Sequence, residues 1–553
     1  MFRLKNGFKQ VFKDKIVIIF LMLIMLYIVY SYIATNQQFK EMSGNCGGLI
    51  VAMSNKAYLY AISFFIFSTY NTYSIYAENM SEVIFEFRKN AISHVIALFI
   101  CNISLTTIFF VINIILSSML SNFDLNYIYI MFKQFTITYC LPTTFFIVFG
   151  CVVGRIKSLK IMILAIMVTA FLTSPMAVEI YNDLENPILK SILYNFDIIQ
   201  NNTYPMGSFF VGIHYLYKWI KIIGFITLAI LLFYKLYFFK QNKVIIAILG
   251  VIFVLSEIYY FQPDSKSWDY ERFLCENSYY YENEKYALEE SATFIITDYD
   301  IKLNFGKQLK AECTLTFDDV NEEEYIFTLY HSLKVKNVKN ADGEFLKYDQ
   351  NGDYITVYSN GNCSKITMIY EGLIDFYTAN DEYVYLPQDF AYYPIAGYKK
   401  VSENTNLIPV ANEYKANFSI TMQENGKIYS NLEEVKNGYY EGYSVGPMFV
   451  KGHLEEKMVD GICFICPKYP YYPNLYSEAN IKKVINVFKE IEEKYGYSIF
   501  DKPVIAVDYY AGAMYGSGYH FGDDYVDLVT LVAERHMMRF EEVNDYVEDR
   551  EFE

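Results

Sequence analysis

Residues 16–34 read IVIIFLMLIMLYIVYSYIA, an unbroken apolar stretch that follows Arg3, Lys5, Lys9, Lys13 and Lys15. A bilayer core of about 30 Å is crossed by roughly 20 such residues in helical form. The stretch is too long for the apolar core of a cleaved signal and has no small-residue cleavage site behind it, so it is expected to remain in the mature protein. Six further apolar runs lie near 57–77, 92–119, 135–153, 161–178, 218–238 and 244–261. Together they predict a polytopic α-helical membrane domain of about seven spans.

Loops rich in Lys and Arg are retained on the cytoplasmic side of a membrane. The five cations ahead of the first run therefore place the N-terminus in the cytoplasm. Arg88 and Lys89, then Arg155, Lys157 and Lys160, then Lys235, Lys240 and Lys243, fall in the loops that this orientation makes cytoplasmic. Lys218 and Lys221, at the outer end of the sixth run, are exceptions. An odd number of crossings puts everything after Phe261 outside. The abundance of Lys, Ile, Asn and Tyr is that of an AT-rich bacterial genome, so the expected location is a bacterial cell membrane. Lys133 is the one ionisable residue read as deep within a span, which speaks against an ion-coupled carrier.

Charge divides the chain at the same place. Up to Phe261 there are 19 Lys and Arg against 11 Asp and Glu, and beyond it 27 against 51. The acidic outer half would repel a phosphate backbone, which excludes nucleic acid as a partner. Beyond a polar stretch, long apolar runs give way to short segments of two-residue alternation: IKLNF (301–305), LKAECTLTF (309–317), EYIFTLY (324–330), LKVKNVKN (333–340), DYITVYS (353–359), SKITMIYEG (364–372), NFSITMQ (417–423) and MFVKG (448–452). These predict an extracytoplasmic, mainly antiparallel β domain. A helix follows, capped by Ser477, with Ile481, Val484, Ile485, Phe488 and Ile491 on one face and Gly496 at its end. DKPVIAVDYY (501–510) then reads as a strand, so the chain closes on a short α/β segment. The expected organisation is a transmembrane domain over 1–261, a linker over 262–290, a β domain over 291–473 and the α/β segment over 474–553.

Nine cysteines are scattered and form no disulfide framework. Cys463 and Cys466 make one CxxC, but on a strand they point to opposite faces and read as packing. Among six histidines, His520 and His536 lie close together in sequence, and His520 with Asp523 and Asp524 makes a Gly-rich polar cluster that reads as a turn.

Residues 77–93, AENMSEVIFEFRKNAIS, carry Glu82, Glu86, Arg88 and Lys89 on a short amphipathic interfacial segment between the second and third spans. A helix at that place resembles the coupling helix of ABC exporter permeases of the six-helix, ABC-2-like type. The resemblance is one of layout across the helical half. It implies a separate ATPase subunit that binds ATP, because the chain has no Gly-x-x-x-x-Gly-Lys-Ser/Thr phosphate loop. It also implies a homo- or heterodimer of permease subunits within the lipid bilayer.

In the outer half, YDIKLNF (299–305), IYEG (369–372), YYP (392–394), IYSN (428–431) and the helix–strand order ending in Gly512, Ala513 and Met514 resemble, in order and spacing, zinc aminopeptidases of the aminopeptidase N (gluzincin) type. The resemblance implies that Gly512, Ala513, Met514 and Tyr515 line a substrate-binding strand. In the family a Glu follows Gly-x-Met and holds the substrate's amino group; here Tyr515 and Gly516 stand there. The family's His-Glu-x-x-His is absent, and AERHMMRF (533–540) supplies Glu534 and His536 with no second His at helical spacing. Two such histidines clamp the zinc that activates water. Accordingly no catalytic residue or metal ligand is assigned, zinc is expected in complete relatives alone, and the chain is not expected to be an enzyme by itself. The end, EEVNDYVEDREFE (541–553), reads either as a solvated tail or, in the favoured reading, as the helix and turn before a zinc motif, cut short by a split or interrupted reading frame. That predicts exposed apolar surface where further helices would pack.

The leading expectation is a permease-like subunit of an ABC-type export system carrying an aminopeptidase-like outer domain without its zinc site. One alternative is a membrane-anchored zinc aminopeptidase fragment that needs a separate zinc-bearing polypeptide. Another is a non-transporting peptide-binding or sensor protein, for which the Tyr-rich stretches 279–286 and 467–476 offer a surface.

Overall fold

The computed structural model describes most of the chain. Outside the described residues lie 1, 14, most of 43–55, 78–83, most of 183–194, 200–214, 239–242, 261–269, 507–518, 522–524, 529–553 and single loop positions. The chain divides into two compact units, the first running to Gln262 and the second from Pro263.

The first unit contains α1 (Phe2–Val11), α2 (Lys15–Met42), α3 (Ala57–Ala77), α4 (Ile84–Ser117), α5 (Leu125–Val153), α6 (Leu159–Leu172), α7 (Pro175–Asn182), α8 (Tyr215–Phe238) and α9 (Lys243–Tyr260). Each of the seven apolar runs falls on helix. Among the described residues, four segments are long and apolar enough to cross a membrane: Ile18–Gln38, Ala91–Ser117, Leu125–Val153 and Trp219–Leu236. The expected count of about seven is thus not confirmed among the described residues. The run at 161–178 breaks between α6 and α7, where Pro175 has no N–H to continue the first helix and opens the second. In α3 the run is diluted by Ser63, Ser68, Thr69, Asn71 and Thr72, all of them buried.

Those small polar residues have a packing role. Gly150 and Gly154 of α5 lie one helical turn apart against α3. A Cβ at Gly150 would sit 2.0 Å from Ser68 Oγ, and one at Gly154 would sit 2.5 Å from the Thr69 carbonyl. Small residues at this spacing let two helix backbones approach where no hydrophobic drive separates helix from lipid.

In the second unit, α10 (Tyr270–Asn283) occupies part of the stretch expected as linker. A seven-stranded sheet follows in the order β14 (Glu433–Lys436), β15 (Tyr439–Ser444), β12 (Ala416–Met422), β1 (Ile296–Phe305), β2 (Leu309–Phe317), β7 (Lys365–Gly372) and β4 (Leu333–Asn340). Its pairs are antiparallel except β1 with β12. Alternation decides the faces: in β1 Tyr299, Ile301, Leu303 and Phe305 point inward while Asp300, Lys302 and Asn304 point to solvent. Smaller sheets complete the domain: β5 (Lys347–Asn351), β6 (Tyr354–Tyr358), β3 (Glu324–Thr328) and β9 (Ile395–Ala396); β13 (Tyr429–Ser430), β16 (Phe449–Lys451) and β8 (Val384–Leu386); and the pair β10 (Ser402–Glu403) with β11 (Asn406–Leu407).

The last sheet runs β17 (Leu454–Val459), β18 (Ile462–Pro467), β19 (Val504–Ala506), β21 (Val526–Leu528) and β20 (Tyr519–Phe521), with β18, β19 and β21 parallel. The predicted helix is α11 (Glu478–Tyr495). Ser477 caps it by accepting from the Asn480 N–H at 3.3 Å, and Gly496 ends it at φ 71°, a left-handed conformation that glycine adopts without strain. Its buried Ile481, Val484, Ile485, Phe488 and Ile491 pack on Phe464, Val504, Ala506, Val526 and Leu528. The opposite face, through Ile465, Ile505 and Tyr525, joins the larger β core. Both faces are covered. The exposed apolar surface expected here is not found among the described residues of 454–528, where Met458, 67% exposed, is the exception.

Candidate functional site

Gly512, Ala513, Met514, Tyr515, Glu82, Asp523, Asp524, Glu534 and His536 lie outside the described residues. His520 is on β20, paired with Asp527 of β21. Glu86, Arg88 and Lys89 fall on the first turns of α4, and their side chains lie outside the description. From Ile84 on, the amphipathic stretch is continuous with the following apolar helix, and no Gly or Pro interrupts IFEFRKNAIS. Cys463 and Cys466 are free thiols; burial pushes the Cys466 thiol up to about 12, which makes it inert packing.

Within the helical unit one group of buried polar side chains forms a neutral network. Tyr60 donates its hydroxyl proton to Asn102 Oδ1 at 2.9 Å, and Asn102 Nδ2 donates to the Cys140 carbonyl at 3.0 Å. Cys140 closes a π-helical turn, Thr136–Cys140, within α5. Its carbonyl also accepts from Thr144 at 2.8 Å, and Tyr32 donates to the neighbouring Tyr139 hydroxyl. The sequence put Lys221 near a helix end. It is 1% exposed, with its ammonium donating to the Asp197 carbonyl at 3.0 Å. Lys133 instead places its ammonium over the Tyr129 ring, 4.4 Å from the centroid.

A charged cluster that sequence reasoning missed lies in the second unit. His331 follows β3, and its Nε2 stands 3.3 Å from Glu276 Oε2 of α10. Its Nδ1 stands 3.6 Å from Asp353 Oδ1, in the turn between β5 and β6. Asp353 Oδ1 also accepts the His331 backbone N–H at 2.7 Å and the Tyr280 hydroxyl at 3.0 Å. Glu276 Oε2 accepts from the Tyr330 hydroxyl at 2.6 Å, and the Tyr279 ring stacks on the imidazole at 3.8 Å. Burial lowers the imidazole's pKa, but the Asp353 and Glu276 carboxylates outweigh it and push it up to about 9. His331 is therefore an imidazolium at neutral pH.

Ser332 Oγ lies 3.3 Å from His331 Nε2, so Ser332, His331 and Asp353 have the order of a nucleophile, a base and an orienting acid. They cannot act as one. A doubly paired imidazolium has no lone pair with which to take the serine proton. Nor do the three groups hold a metal, because the two carboxylates face opposite ring nitrogens. Among the described residues, no group of three or more His, Cys, Asp or Glu is arranged to hold a metal ion.

The positions that carry the aminopeptidase resemblance converge on the core. Tyr299 donates to the Pro394 carbonyl at 3.2 Å and to Asn412 Oδ1 at 2.8 Å. Tyr370 donates to the Tyr392 carbonyl at 3.1 Å, and Tyr392 to the Pro447 carbonyl at 2.7 Å. Asn431 donates to Gly446 O at 2.9 Å and accepts from Met448 N at 2.8 Å. These side chains fasten the loops between sheets.

No protein-family model matches the sequence, and no curated protein matches it. Among solved structures, the chain is similar to leukotriene A4 hydrolase from Saccharomyces cerevisiae, at 14% identity and a TM-score of 0.29, covering 45% of this chain and 44% of that one. It is similar to an M1 zinc metallopeptidase from Deinococcus radiodurans at 11% identity and a TM-score of 0.27, covering 44% and 62%. A third is an aminopeptidase N family protein from Idiomarina loihiensis, at 10% identity and a TM-score of 0.27, covering 38% and 39%. The chain spans less than two thirds of the length of these structures, and nothing about its activity follows from them.

Proposed function

We propose that this chain is a membrane subunit of an ABC-type export system, with a permease-like helical half and an aminopeptidase-like outer domain that does not hydrolyse peptides by itself. The observation that supports it most is one of combination. Several span-length helices, with a neutral polar network buried among them, precede a β domain that carries the aminopeptidase order of motifs without His-Glu-x-x-His. A zinc peptidase without its two histidines has nothing to lower the pKa of water. A permease without a phosphate loop draws its energy from a partner, so a separate ATPase subunit binds ATP and drives alternation of a permease pair. The outer domain then acts as a binding or gating element.

Purification from native membranes in mild detergent, with mass spectrometry of the co-purifying chains, tests this. An ATPase subunit in near-equal amount is the expected result. A partner bearing His-Glu-x-x-His, with no ATPase, would replace the proposal by a split peptidase.

A further inference from the structure

We propose that Glu276, His331 and Asp353 form an ionic latch that holds α10 on the outer domain and releases it as a unit while the sheets stay folded. The described contacts of α10 centre on one face, whose Tyr280 is also buried in the core of the β domain. Glu276, Tyr279 and Tyr280 are spaced i, i+3 and i+4, which places them side by side on a helix. All three touch His331: Glu276 by charge, Tyr279 by stacking at 3.8 Å, and Tyr280 edge-on at 5.5 Å. Tyr280 adds an apolar contact to Phe376 at 5.7 Å. Tyr281, next along, is 71% exposed.

A helix of 14 residues is marginal in water by itself, so α10 stays helical because it is docked. It lies between α9 and β1 in chain order, so its release turns a docked helix into slack chain at that point. The groups facing His331 are Glu276, Tyr279 and Tyr280 from α10, Asp353 from the β5–β6 turn, and Tyr330 and Ser332 from its own loop, with Asp375 beyond Tyr330. Among the described residues, the charged groups that hold His331 are Asp353 and Glu276. Loss of its proton leaves two carboxylates buried around a neutral ring.

The sign follows from linkage. The latched imidazole titrates near 9, and a free one near 6.5. The grip is complete below pH 6.5, weakens as pH rises, and is lost through pH 9, an overall change of about 300-fold in the docking equilibrium.

Hydrogen exchange of the detergent-purified full chain, corrected for the intrinsic pH dependence of exchange, tests the latch. At pH 7 the amides of 270–283 should be protected. By pH 10 their protection should fall by about 100-fold, while the amides of β1 and β12 keep theirs. H331Q should release α10 at pH 7, and D353N should move the transition to lower pH. Two results would overturn the proposal. One is protection of 270–283 that persists at pH 10 and in H331Q. The other is loss of protection in β1 and β12 together with α10, which would make the cluster a part of the cooperative core.

Discussion

The central buried polar networks of the two units differ in charge, although the helical unit also buries Lys221 against the Asp197 carbonyl. In the helical unit the central network of Tyr60, Asn102, Thr144 and the Cys140 carbonyl is uncharged, and close helix approach is made by Gly150 and Gly154. In the second unit an imidazolium is held between two carboxylates, and the surrounding tyrosines occupy their remaining lone pairs. The difference teaches what each surrounding allows. In an apolar surrounding a charge has no solvent shell to fall back on, and amides and hydroxyls bind helices at modest gain. Inside a water-facing domain, an ion pair is tolerated when extra hydrogen bonds complete it, and removing one partner then costs more than the pair contributes.

That contrast can be broken by substitution. Asp353→Ala leaves the His331 N–H, the Tyr280 hydroxyl and the imidazolium without their shared acceptor, and should weaken the docking of α10 by about 3–5 kcal/mol. Hydrogen exchange of the amides of 270–283 would read it, and a loss under about 1 kcal/mol would place the cluster among ordinary surface pairs. Gly150→Val drives a side chain into Ser68 and the Phe65 carbonyl and should cost the helical unit about 1–3 kcal/mol. It should act equally at pH 6 and pH 9, measured by thermal unfolding in detergent. Asn102→Leu removes the bridge from Tyr60 to Cys140 and should cost about 1 kcal/mol, again without pH dependence. Lys302→Ala breaks the pair with Glu312 at 2.7 Å, where both side chains are exposed, and should change stability by less than about 0.5 kcal/mol. A larger effect there would mean that surface charge, and not the buried latch, dominates the outer domain's electrostatics.

Much of the architecture was legible because local rules and tertiary structure agree. β1, β2, β7 and β12 alternate cleanly, since one face of their sheet is buried and the other wet. α11 carried its own cap, stripe and terminating glycine. β14 and β5, reading EEVK and KYDQN, were not legible: each lies at a sheet edge, paired on one side, where no apolar period is imposed. α10 was missed because YERFLCENSYYYEN reads as polar and Tyr-rich, and its helical period appears once Glu276, Tyr279 and Tyr280 have a partner. The latch itself had no local signature. His331 and Asp353 stand 22 residues apart and Glu276 farther still, so the fold alone brings them together. Helix existence in the first unit was plain from apolar runs; the number of spans was not, since Pro175 and the polar residues of α3 interrupt or dilute those runs without ending the helical character of the region.

The most direct test of an aminopeptidase-like but non-hydrolytic outer domain is the zinc content and aminopeptidase activity of the detergent-purified chain, with and without added zinc. The account predicts substoichiometric zinc and no hydrolysis of aminoacyl substrates in either condition. One zinc per chain together with hydrolysis would contradict it and direct attention to His520, Asp523, Asp524 and His536.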